Sequence, residues 1–159
     1  MSPAASEQIA DIQEIVNKGK ERKCILLLGA GVHYPPPPEL TYTCNGRPYV
    51  YPEPQRPPLG RQLAEDLAGE SGFLTEYPKD NSRSLQRVSL HYEMEKTRNG
   101  LVSRVRDAVV TNKAPSPVVR ALAELDFPIV TTTNYDRLFE TALGLFGKQP
   151  FVSIFNKGG

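Results

Sequence analysis

The chain has 159 residues, of which 39% are hydrophobic and 23% charged, and a formal net charge of +1. This balance is ordinary for a folded domain and leaves no polybasic field for nucleic acid. At this length one domain buries roughly 70% of its extended-chain surface, so a single domain over 1–159 is expected.

The longest apolar run near the front, Ile25 to Leu28, is far too short to cross a membrane, and the first six residues lack the basic start and apolar core of an export signal. A cytoplasmic location is therefore expected. The two cysteines, Cys24 and Cys44, are expected as reduced thiols, because Cys24 opens an apolar run that reads as a buried strand.

In chain order, Ile9, Ile12, Ile15 and Val16 fall at helical spacing, with Ser6 as N-cap and Gly19 as terminator. Cys24 to Leu28 then reads as an inner parallel strand buried on both faces, ended by Gly29-Ala30-Gly31. Fifteen prolines crowd the chain, most densely from Pro35 to Pro58. Such a stretch excludes helix and inner strand, and residues 34–58 read as an insertion at the mouth of the glycine turn.

Leu59, Leu63 and Leu67 mark a helix running to Gly69; Leu85, Val88 and Tyr92 mark a second. Gly100 separates that one from a third, on Leu101, Val105, Ala108 and Val109, and a fourth starts at Pro117. Phe127 to Thr132 is a second inner strand by its β-branched content. Asn134-Tyr135-Asp136 leads into a helix on Leu138, Phe139, Ala142, Leu143 and Phe146, and Phe151 to Ile154 opens a third strand. The alternation predicts an α/β, Rossmann-like parallel sheet with helices on both faces, incomplete at its C-terminus. Ligands of such sheets sit at the carboxyl ends of strands, where both polar motifs lie.

Gly29-Ala30-Gly31 supplies two positions at which a pyrophosphate could approach backbone amides, but Tyr34 replaces the third glycine of the dinucleotide fingerprint. The plain alternative is two glycines that let a strand turn sharply. At the other strand end, Thr131 to Asp136 concentrates hydroxyl, amide and carboxylate groups, where either Asn134 or Asp136 could equally serve as a helix cap.

Together, Ile25 to Val32, Pro58-Leu59-Gly60 with Leu63, and Thr132 to Glu140 resemble the sirtuin-like proteins, and most nearly their bacterial-type branch. The resemblance spans about Ile25 to Leu143; Tyr34 to Pro57 departs from it, and His33 stands where a serine is common. It implies an NAD-binding domain that cleaves the nicotinamide–ribose bond, hydrolysing NAD in antiphage defence or deacylating lysine. Zinc is not expected, because the two cysteines lack the paired spacing of the deacylases' zinc module.

By the same resemblance Gly29, Ala30 and Gly31, with Val32 and His33 beside them, seat the phosphates. Asn134 holds the ribose hydroxyls and the attacking water, Asp136 bonds the nicotinamide carboxamide, and Thr132 and Thr133 flank them. Asn134 and Asp136 are the expected catalytic pair. The family's general-base histidine comes after the asparagine motif, where this sequence has none; its two histidines are His33 and His91. His91, on a helix, reads as a packed or exposed residue, and the chain is expected to end before the base and to be inactive by itself. Three readings follow: an NAD glycohydrolase, a module that senses NAD or ADP-ribose without chemistry, and an interaction domain whose proline-tyrosine insertion docks a partner. Further domains or subunits, and an oligomer, are compatible with each.

Overall fold

A computed structural model describes residues 3–154 except 36, 38–40, 45 and 81–83, and no side chains are described for 3–10, 12 and 44. Helix α1 (Pro3–Lys20) precedes strand β1 (Ile25–Leu28), a short 3-10 turn (Ala30–His33) and a hairpin of β2 (Tyr42–Cys44) and β3 (Arg47–Tyr49). A second 3-10 turn (Glu53–Gln55) leads to helices α2 (Gly60–Ser71), α3 (Phe73–Glu76), α4 (Leu85–Lys96), α5 (Arg98–Val109) and α6 (Pro117–Glu124). Strand β4 (Ile129–Thr132) and helix α7 (Leu138–Leu145) follow. None of the described helices is long and apolar enough to cross a membrane.

The architecture is mixed α/β, organised around two apolar clusters. In one, Leu63 and Leu67 of α2, Phe73 of α3 and Val88 and Tyr92 of α4 bury one another, and Leu101, Val105 and Ala108 of α5 pack against them. In the other, Leu28 meets Val119 and Ala123 of α6 and Phe139 and Ala142 of α7. This second cluster anchors the parallel pair β1–β4, in register from Ile25 opposite Ile129 to Leu28 opposite Thr132.

The sheet differs from the expected one in two ways. Helices α6 and α7 cover one face, whereas Ile25, Leu27 and Ile129 on the other are 67%, 70% and 55% exposed. The strands are thus buried on one face, because alternate side chains point to opposite sides and no described helix packs on the second. Phe151 to Ile154 is not a strand either: it pairs with nothing in the sheet, and Phe151 and Ile154 are exposed.

Helix ends were also misplaced. Helix α1 begins at Pro3, so Ser6 is inside it, and Gly19 lies in its last turn instead of ending it. A Cβ on Gly19 would sit 3.4 Å from the Phe127 ring, so the glycine permits a close approach, and Arg22 takes the left-handed conformation beyond the helix (φ 59). Helix α2 runs past Gly69 to Gly72, whose φ of 72 suits glycine at a helix end. Gly100 lies within α5; the break before that helix is at Thr97, whose hydroxyl accepts the Gly100 N–H.

The described part of the proline-rich insertion contains regular structure. Its hairpin turns at Gly46 (φ 72) and stays outside the parallel sheet, which is how Pro48 is accommodated. Three contacts fasten the insertion to the segment before α6: the Tyr49 hydroxyl donates to the Pro115 carbonyl at 2.8 Å, the Ala114 N–H to Gln55 O at 3.0 Å, and Lys113 Nζ to Pro54 O at 3.0 Å. The Arg120 guanidinium lies 3.6 Å over the Tyr49 ring and adds a cation–π contact.

Candidate functional site

Parallel pairing of β1 and β4 sets the glycine turn and the Thr132–Asp136 segment side by side, since both strands run out at the same edge. The ladder continues one step past β4, where the Thr133 N–H donates to Leu28 O at 3.1 Å. Beyond it the two polar motifs meet. His33 Nε2 lies 3.0 Å from Asp136 Oδ2, with both side chains buried at 4% and 8% exposure, and Asn134 Nδ2 lies 3.4 Å from the same ring nitrogen.

Asp136 performs two tasks. Its Oδ1 accepts the Leu138 N–H at 2.9 Å and so caps α7, while Oδ2 faces His33. Burial is the strongest influence on its carboxyl and pushes the pKa up, but the His33 contact and the backbone N–H groups together outweigh it, holding the carboxyl below its ordinary 3.8. An ionised carboxylate only accepts, so His33 carries its hydrogen on Nε2. Nδ1, the other ring nitrogen, is buried without a partner among the described residues.

Asn134 follows from that tautomer. A donating Nε2–H cannot also accept from an amide NH2, so the amide is best turned to place its oxygen against the ring, which directs the NH2 away from it. The backbone N–H of Asn134 is held by the Thr132 hydroxyl at 3.0 Å. Of the two candidate caps, Asp136 caps α7 and Asn134 leaves its side chain for other work.

The glycine turn is held from beneath. Ser116, fully buried before α6, donates its hydroxyl to Val32 O at 2.7 Å and accepts the Val119 N–H at 3.1 Å. Gly29 has an extended backbone (φ −122, ψ 174), and neither Gly29 nor Gly31 has a positive φ. A Cβ built on either would meet nothing within 4 Å. The chain's own geometry therefore requires neither glycine, and a turn that merely needed them for a sharp bend would show otherwise.

The other expected site residues fall in different surroundings. Ala30 is exposed beside the glycines, and Val32 packs its side chain into the cluster under β1. Thr132 and Thr133 are exposed, the first engaged with Asn134 and the second contributing its backbone to the ladder. His91 belongs elsewhere: Nε2 meets Ser71 O at 3.2 Å, and its ring packs edge-on against Phe73 and Tyr77. Among the described residues no group of three or more His, Cys, Asp and Glu side chains could hold a metal. Cys24 is a half-buried free thiol, and the Cys44 side chain lies outside the described residues.

Two residues join the site without having been anticipated. Ser116 was legible as a helix start, since Ser-Pro is a common N-cap pair, but nothing local told that its hydroxyl would reach Val32. Tyr51, from the insertion, is 5% exposed, and its hydroxyl has no partner among the described residues. Burial chiefly, then Tyr49 and the Asp136 carboxylate, push its pKa up to about 12 against the opposing pull of Arg56. It stays a neutral donor within the field of Asp136.

No protein-family model, curated protein or solved structure matches this chain.

Proposed function

We propose that the chain is a Rossmann-like, NAD-binding domain of the sirtuin-like kind, and that its site hydrolyses the nicotinamide–ribose bond, the chemistry by which bacterial relatives act in antiphage defence. The observation that carries the reading is the meeting of the two strand ends: a buried His33–Asp136 pair, with Asn134 against it, next to a glycine turn open to solvent. Two glycines that the fold itself does not need suit the close approach of a pyrophosphate to backbone amides.

In this reaction the bond between the ribose carbon and the nicotinamide nitrogen breaks, and its electron pair leaves with neutral nicotinamide. Water adds to the ribose carbon and gives up a proton. The arrangement supplies a part for each event. The Asn134 amide holds the ribose and water in line, the fixed Asp136 carboxylate stabilises positive charge growing on the sugar, and Nδ1 of the imidazole, whose Nε2–H Asp136 holds, takes the proton. His33 thereby fills the place that the resemblance assigns to a histidine further along the chain.

Nicotinamide release by the longest natural form of the protein tests the reading. Asn134→Ala is expected to lower turnover by about 10²-fold or more while the melting temperature holds. Unchanged turnover would sink the proposed role. Ligand-dependent stabilisation by NAD with no nicotinamide from any form would overturn hydrolysis and leave NAD sensing in its place.

A further inference from the structure

We propose that a second site, a cavity of about 750 Å³ between α4, α5 and the loop after β4, binds an amphipathic anion, namely an unbranched aliphatic chain ending in a carboxylate. The proposal stands whether or not NAD is the substrate of the neighbouring cluster.

The apolar part is set by helix periodicity. Leu101, Val105 and Val109 fall on one face of α5, and with Leu63 and Leu85 from α2 and α4 they form the floor. That floor is preformed: Leu63 belongs to the helical core, and Leu85, Leu101 and Val105 pack against it. The size lies within the usual range for small-molecule sites, roughly 300–1,000 Å³, and aliphatic walls suit an alkyl chain.

The polar part is of one sign. Arg98 and Arg106 of α5 and Arg137 after β4 line the cavity, and no Asp or Glu does. Arg106 follows Arg98 by eight positions, about 12 Å along a helix, so one cation stands before the apolar floor and the other beside its far half. Arg98 is shared with Glu93 at 3.1 Å and Arg137 with Glu140 at 3.5 Å, each an exposed guanidinium on a half-buried carboxylate, where such pairs are weak and exchangeable. Arg106 has no carboxylate partner among the described residues. In a chain whose net charge is only +1, three guanidiniums around an apolar floor without an acid select an anion with an apolar body. Tyr135 and Arg137, which flank Asp136, complete the rim, so the occupant lies against the loop that carries the His33 partner.

The test is titration of the full chain with monomeric dodecanoate, followed by calorimetry and by methyl NMR of the floor residues. Saturable binding with one site per chain is expected, with shifts at Leu63, Leu101 and Val105. Arg106→Gln, an exposed change that leaves the floor intact, is expected to weaken it about tenfold. Leu101→Trp, which fills the floor, is expected to abolish it. Dodecyltrimethylammonium, with the same chain and the opposite charge, is expected not to bind. Absence of saturable binding, shifts confined to other surfaces, equal affinity for the cation, or an Arg106→Gln protein that binds as tightly as the wild type would each overturn the proposal; the last remains decisive if Leu101→Trp does not fold.

Discussion

Replacement of Asp136 by Asn tests the electrostatic core of the site, because the change keeps the shape and removes the charge. The carboxylate accepts two hydrogen bonds at once, from Leu138 N–H at 2.9 Å and from His33 Nε2–H at 3.0 Å. An amide has a single acceptor oxygen, so in either orientation its NH2 faces one of the two donors. The loss is one hydrogen bond to a charged group in a site where both side chains are almost wholly buried, about 1.5–3 kcal/mol. With a urea dependence of about 1–3 kcal/mol per molar, the unfolding midpoint is expected to fall by roughly 1 M at neutral pH.

The same substitution has a pH signature. The folded-state pKa of Asp136 lies below the ordinary 3.8, so its contribution is fully present above 3.8 and is lost as pH falls through the lower folded value. The stability gap between wild type and Asp136→Asn should therefore be wider at neutral pH than at an acidic pH below 3.8. Circular dichroism through urea titrations at both pH values measures it. A gap of the same size at both, or one under about 0.5 kcal/mol at neutral pH, would refute the assignment of an ionised Asp136 holding an Nε2–H tautomer.

Two further expectations separate stability from binding. Gly29→Ala should leave the melting temperature nearly unchanged, within about 0.5 kcal/mol, because the new methyl meets nothing and φ is −122; NAD-dependent stabilisation should nonetheless fall if the turn faces a pyrophosphate. Ser116→Ala should do the reverse. It removes a cap and the Val32 carbonyl's hydroxyl partner, about 2–3 kcal/mol in thermal unfolding, and it should speed amide exchange in the turn above it.

How far the sequence foretold this molecule depends on the range over which each signal acts. Helix positions were legible where apolar residues recur at helical spacing and a strong cap precedes them, as with Ser116 and Pro117 before α6. Ends were legible less well: Gly19 looked like a stop but is a contact surface for Phe127, and the break between α4 and α5 falls on Thr97, a residue type that rarely adopts positive φ. The hairpin inside the insertion had a signal that proline density concealed, the Asn45-Gly46 dipeptide between two tyrosine-containing runs.

A parallel sheet with both polar motifs at strand ends followed from the alternation of elements. Which side chains then touch did not. His33 and Asp136 are 103 residues apart, and only the register of Leu28 against Thr132 brings the ring to the carboxylate. For the same reason Tyr51 was invisible: an insertion has no periodicity from which to read its inward face, and its burial depends on the contacts that Tyr49, Gln55 and Pro54 make before α6.

The face of the β1–β4 pair left open among the described residues bears on how the protein is expected to behave in solution. Ile25, Leu27 and Ile129 place an apolar patch beside the outer edges of a two-stranded sheet, where unpaired backbone groups offer a template for another strand. Self-association through such a patch rises with protein concentration. Salt, which weakens surface ion pairs such as Arg61–Glu65, does not dissolve it, and excluded salts such as sulfate tighten it. Low protein concentration and moderate chloride are accordingly the conditions expected to keep this fold dispersed.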